Sequence, residues 1–200
     1  MTHQPPSPLF GFEACQPVWH ERWQHYLVKV KPGEFYVAPP GMAITTVLGS
    51  CIAACIRDPA TGIGGMNHFM LPDDGDGSER LSSASYGAFA MEQLINGLLK
   101  LGCRRDNLEV KLSGGANMLA GGYRIGDLNV RFIRDYIARE GLQLCAEDVG
   151  GQQARKVIYF PDQGRMLVKR MEAVGQLLSE EQAYRQQTRE QTVHQDVELF

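Results

Sequence analysis

In the stretch TTVLGSCIAACIRD, Thr45 to Asp58, a cysteine follows directly on a Gly-Ser pair, and His68 stands 17 positions further on, inside MNHFML. A thiol nucleophile needs a base to take its proton, a group to orient that base, and backbone N–H donors for the oxyanion that forms on attack. Cys51, His68 and Thr45 are residues of the right types for the first three parts. A neighbouring imidazolium lowers the pKa of a thiol from about 8.5 by several units, so a Cys51–His68 pair is expected to hold thiolate at neutral pH. Thr45 can accept a proton from the second imidazole nitrogen, through its hydroxyl or carbonyl, and so fix the tautomer. Gly49 and Ser50 leave the backbone before Cys51 little obstructed, which lets an N–H there face an oxyanion.

The same residues have a structural reading, and at this level both stand. Most cysteines of reducing compartments are small buried hydrophobes, and Cys55, Cys103 and Cys145 lie in or beside apolar segments. His68 can equally be a satisfied core histidine. It is the one histidine of the central region, since His3, His20, His25 and His194 fall in the terminal extensions. A zinc site from Cys51, Cys55 and His68 lacks a clear fourth ligand and the usual ligand-pair spacing. GGMN, SGGAN and DVGG match neither phosphate-loop pattern and read as turns or cleft rims, with Asn67, Gly114 and Gly115 as candidates to line a substrate cleft.

These side chains must be positioned by one core, because 200 residues with 44% hydrophobic content bury one sizeable core rather than two. A net charge of −3 offers no clustered basic footprint for nucleic acid. No apolar run approaches the roughly 20 residues of a membrane span, and the N-terminus lacks a basic then apolar leader pattern, so no membrane insertion and a cytoplasmic location are expected. Five cysteines without dense spacing or a CxxC pair are read as reduced thiols.

Residues 1–27 read as an N-terminal extension that docks through Trp19 and Trp23, residues 28–175 as the functional domain, and residues 176–200 as a polar tail, either a frayed helix or a disordered arm. YLVKVKPGEFYVA reads as strand, turn and strand, and AITTVLGSCIAACIRDP as β-branched strands around Gly49 and Ser50. The DPATG turn makes a hairpin whose two strands carry Cys51 and His68 at similar distances from it, within cross-strand reach. After the DDGDGS loop, Ser82 or Ser83 is expected to cap a helix ending near Gly102. NLEVKLSGGANM is a strand into a glycine turn, GDLNVRFIRDYIAREG a helix, LQLCAEDVGG a strand, and ARKVIYF-PDQG-RMLVKRM a second hairpin. Strands broken by two helices imply an α+β class: a layered α/β sandwich with mixed sheets, hairpins and flanking helices.

Thr45, LGSC, the RDP turn, GGMNHFMLP, SGGANM and AEDVGG occur in an order that resembles the chemoreceptor glutamine deamidases, the CheD family, over roughly residues 26–175. The resemblance implies a catalytic core similar to that of glutamine-deamidating bacterial toxins, with a Cys-His-Thr triad falling on Cys51, His68 and Thr45. It also implies hydrolysis of selected glutamines on the cytoplasmic helices of methyl-accepting chemotaxis receptors, releasing ammonia through a Cys51 thioester, with no metal or organic cofactor. Receptor glutamyl methyl esters fall within the same implied chemistry, and a chemotaxis phosphatase is a further implied partner. A non-catalytic adaptor binding receptor or phosphatase, and a general cysteine protease or small amidase, are the competing functions.

Overall fold

The computed structural model describes residues 4–72, 80–118, 124–172, 175, 179–184 and 186–187. In chain order the strands are β1 (Val18–His20), β2 (His25–Lys29), β3 (Phe35–Ala38), β4 (Met42–Leu48), β5 (Ile52–Arg57) and β6 (Gly64–Asn67). Helix α1 (Arg80–Lys100) follows, then β7 (Glu109–Gly114), helix α2 (Ile125–Arg139), β8 (Gln143–Val149), β9 (Ala154–Phe160) and β10 (Arg165–Met171).

Two five-stranded mixed sheets result. The first has the order β1-β2-β4-β9-β10 and the second β3-β6-β5-β7-β8. Within them β2 pairs β4 and β7 pairs β8 in parallel, and the other pairings are antiparallel. The β2 and β3 segments flank the Pro32-Gly33 turn yet enter different sheets, so the chain crosses between layers there.

Alternation along each strand decides what lies in each layer. In β5, Ile52, Ala54 and Ile56 meet Met91, Leu94 and Ile95 of α1 and Val130 and Ile133 of α2. Its intervening residues Ala53 and Cys55, with Cys51 before them, face the other sheet and join Ile44, Leu48, Val157 and Tyr159 in a core between the sheets. Burial on both faces is why β5 reads as an almost unbroken apolar run. A smaller cluster of Leu27, Ala43, Ile158 and Phe160, covered by Trp23 and Leu167, closes the outer face of the first sheet.

The α+β layered architecture, both hairpins and the two helices agree with the sequence reading. Helix α1 runs from Arg80, however, so Ser82 and Ser83 lie within it rather than ahead of its first turn. The DDGDGS loop lies outside the described residues. The N-terminal segment is built into the fold: Trp19 packs edge-on to Tyr26, Trp23 to Phe160, and Phe12 to Phe35 and Tyr36. The polar tail supplies a helical stretch at residues 179–184, and this stretch reaches the site of Cys51.

Candidate active site

Cys51 sits one residue before β5 and His68 one residue after β6, at the open end of the hairpin turned by Asp58–Gly62. The β5–β6 register pairs Cys55 with Met66, and an isolated bridge at the same offset pairs Ile52 with Phe69. Cys51 and His68 are therefore diagonal neighbours on one face of the ladder, the face that meets the other sheet. The hairpin expected from sequence is present and sets the two residues diagonally across its strands.

The backbone leading to Cys51 is held by three bonds to its carbonyl oxygens. Gly49 O accepts from Ala116 N at 2.7 Å and Cys51 O from Gly115 N at 2.7 Å. Ser50 O accepts from Asn129 Nδ2 at 2.8 Å. In a trans peptide the N–H points opposite to the preceding C=O, so tying the Gly49 and Ser50 carbonyls to one side sends the Ser50 and Cys51 N–H groups to the other. The N–H groups of Gly49, Ser50 and Cys51 converge there on one carboxylate, that of Glu181, at 2.8, 3.1 and 3.4 Å. Ser50 Oγ donates a fourth bond to it at 2.9 Å. Such a concave run of N–H groups is an anion nest of the kind that holds an oxyanion.

Thr46, rather than Thr45, is the residue against the imidazole. Thr46 Oγ1 lies 2.8 Å from His68 Nδ1 and donates its hydrogen to Val30 O, also at 2.8 Å. A hydroxyl has one hydrogen, so toward His68 it acts as acceptor, and Nδ1 carries the proton. Nε2 is left with its lone pair, and among the described residues it has no hydrogen-bond partner. Thr45 points to the opposite face of β4 and donates to Val157 O at 2.8 Å. The side chains of adjacent strand residues face opposite ways, and Thr46 shares the parity of Ile44 and Leu48. The expectation for Thr45 as the residue beside His68 is corrected on this ground.

The protonation states also differ from expectation. Burial lowers the His68 pKa to about 4, the Val30 carbonyl acting against this and the Lys29 charge adding to it. Burial, then the charge of Glu181 and a hydrogen bond to it, push the Cys51 thiol well above its usual value. With the site occupied by Glu181, thiol and neutral imidazole replace the thiolate and imidazolium pair, because a dry site disfavours charge on either group.

Of the cleft candidates, Asn67 lines a pocket of about 250 Å³ beside His68 and Tyr86, and Gly114 and Gly115 support the backbone. Asn67 is buried and its amide is committed, Oδ1 accepting from Ala54 N at 3.0 Å and Nδ2 donating to Ala90 O at 3.0 Å. It clamps β5 and β6 to α1 where the ladder opens. Gly114 and Gly115 have φ of +110° and +68°, and a Cβ on Gly114 would overlap the Cys51 carbonyl oxygen. Both glycines serve the close approach that aims the nest. Gly150 N donates to Gly114 O and Asn117 N to Gly151 O, which ties the DVGG turn to the same strand end.

Besides Thr46, two residues escaped the sequence reading. Asn129, fully buried in α2, bridges Ser50 O and Leu71 N, the latter at 2.8 Å. Its signal is an amide placed on the apolar face of an amphipathic helix. Glu181 carries no such signal, since it lies in a run of polar residues. A cleft of about 270 Å³ adjoins the site, lined by Lys29, Lys31, Thr46, His68, Glu180 and Glu181 among others. Among the described residues no group of three or more His, Cys, Asp or Glu could hold a metal, and no helix is long and apolar enough to cross a membrane.

Residues 70–170 match the family model described as CheD chemotactic sensory transduction. The chain is 43% identical over 201 residues to the probable chemoreceptor glutamine deamidase CheD of Hahella chejuensis, covering 98% of this chain and 95% of the relative. It is 48% identical over 178 residues to the protein of the same description from Janthinobacterium sp., with 86% of this chain and 88% of the relative covered. For Burkholderia orbicola the identity is 52% over 148 residues, 72% of this chain and 60% of the relative. With a family model over half its length and close relatives over nearly all of it, the chain belongs to the CheD family.

Proposed function

We propose that this protein hydrolyses the side-chain amide of selected glutamines on chemoreceptors, giving glutamate and ammonia, with Cys51 as nucleophile. The observation that carries the reading is the nest: three successive N–H groups, the last that of Cys51 itself, already hold a γ-carboxylate beside the thiol. A glutamine amide carbon seated in the same way places its oxygen where the negative charge of a tetrahedral intermediate develops.

His68 Nε2 takes the Cys51 proton as sulfur adds to the amide carbon, and the charge on oxygen is held by the N–H groups of the nest. The imidazolium then gives its proton to the amide nitrogen as the C–N bond breaks and ammonia leaves. The thioester is cleaved by water that Nε2 deprotonates, which releases the γ-carboxylate and restores the thiol. Thr46 keeps Nδ1 protonated throughout, so that the lone pair stays on the nitrogen that works.

The helical cytoplasmic part of the receptor is the proposed partner, and the cytoplasm the proposed location. Hydrolysis of receptor methyl esters needs the same nucleophile and nest and belongs to the proposal. Binding of a chemotaxis phosphatase is proposed from the family resemblance alone.

Mass spectrometry of a receptor cytoplasmic fragment incubated with wild type, Cys51→Ala and Cys55→Ala tests the reading. Specific glutamines are expected to become glutamate with wild type and Cys55→Ala but not with Cys51→Ala. Binding of the fragment without conversion by wild type would replace the enzyme with an adaptor.

A further inference from the structure

We propose that residues 179–184 act as a built-in product mimic, seating the Glu181 carboxylate in the Gly49–Ser50–Cys51 nest and keeping the site closed until a substrate helix displaces it. The inference rests on the deamidase reading, and it adds both a ligand class for the nest, a γ-carboxyl group carried on a helix, and a regulation of the site.

Glu181 is 6% exposed, yet among the described residues no basic side chain forms an ion pair with it. Its charge is met by the three N–H groups and Ser50 Oγ, the partners a bound anionic ligand would use. A glutamate side chain is chemically the product of glutamine deamidation. The carboxylate suits the nest better than an amide would, because Gly49 N–H and Ser50 N–H donate to different oxygens and an amide has an acceptor for only one of them.

A second contact places the segment. Tyr184 lies three positions on, on the same helix face as Glu181. Its hydroxyl is 2.6 Å from that of Tyr86 in α1, and its ring lies over Gly33, where a Cβ would come within 2.9 Å of it. The tyrosine thus anchors the stretch against the body of the protein while the glutamate enters the site. Cys51 is fully buried beneath it.

A tethered occupant of this kind acts as an intramolecular competitor, so its removal changes access rather than chemistry. The test uses the full-length protein as wild type, Glu181→Ala and Tyr184→Ala, read in two ways. The first readout is the rate of Cys51 alkylation by iodoacetamide, followed by peptide mass spectrometry with Cys145 as an exposed internal control. The second is the steady-state kinetics of deamidation of a receptor fragment.

Cys51 alkylation is expected to rise by about tenfold or more in both variants, with Cys145 unchanged, and KM to fall while kcat moves little. Tyr184→Ala keeps the nest and the glutamate side chain intact but removes the anchor that seats it, and so guards against a folding effect of Glu181→Ala. Unchanged Cys51 alkylation in both variants overturns the product mimic, whatever the kinetics. Faster alkylation in variants that convert no glutamine upholds the occupancy and overturns the deamidase reading instead.

Discussion

Thr46 Oγ1 lies 2.8 Å from His68 Nδ1 and passes its own hydrogen to Val30 O, so one hydroxyl fixes which imidazole nitrogen carries the proton. The neighbouring Thr45 makes an equally short bond, to Val157 O, on the other side of the sheet. A single position thus separates a hydroxyl on the imidazole from one on the backbone of β9.

Thr46→Val is expected to lower kcat for deamidation by about tenfold to a thousandfold with KM little changed, since it removes the acceptor that holds the tautomer. Thr46→Ser should restore most of the rate. Thr45→Val loses one half-buried hydrogen bond and is expected to cost about 1 kcal/mol of stability with kcat near wild type. Steady-state kinetics and urea unfolding of the three variants separate these outcomes, and a Thr45→Val enzyme as slow as Thr46→Val would return the role to Thr45.

Cys51→Ala is expected to remove activity, whereas Cys55→Ala should retain it and lose about 1 kcal/mol from a shallow cavity between the sheets. Both cysteines are buried on the same face of β5, so burial does not distinguish them. Only Cys51 has its own N–H in the nest. Ammonia release and thermal unfolding of both variants provide the check.

The depressed pKa of His68 makes stability depend on pH. Between about 4 and 6.5 the unfolded chain binds a proton at this residue that the folded chain does not, so unfolding is favoured as pH falls through that window. The loss reaches at most about 3 kcal/mol and levels off below pH 4. Urea midpoints of wild type and His68→Gln from pH 7.5 to 4 measure it. The variant should show a shallower decline, and parallel curves would mean that His68 does not stay neutral on folding.

Asn129→Ala should be among the more damaging substitutions in α2. It leaves Ser50 O and Leu71 N buried without their partners, at a cost of about 2–5 kcal/mol, and frees the peptide that aims the Cys51 N–H. A fall in both melting temperature and kcat is expected. Loss of stability with unaltered kcat would show that the nest keeps its shape without the amide.

Much of this protein is legible in its order of residues. β-branched runs, the DPATG and PDQG turns and two amphipathic helices are local features, and local propensity suffices to place them. The approach of Cys51 to His68 was also readable, because a tight hairpin turn fixes which residues lie opposite. The choice between Thr45 and Thr46 was within reach: parity with Ile44 and Leu48 assigns Thr46 to the face of Cys51, and spacing from Cys51 alone does not carry that information.

The sequence alone brought forward Cys51 and His68 as candidate nucleophile and base, with the glycine-rich approach to them. It did not determine that Gly114 and Gly115 support the backbone at Cys51. That depends on contacts between elements far apart in the chain, such as Gly115 N to Cys51 O. Nor did it place Glu181, which reaches Gly49 across 132 positions. A glutamate in a polar tail has the same local character whether it faces water or fills an anion nest. Only the packing of that tail against the ends of the two sheets puts its carboxylate where three N–H groups meet.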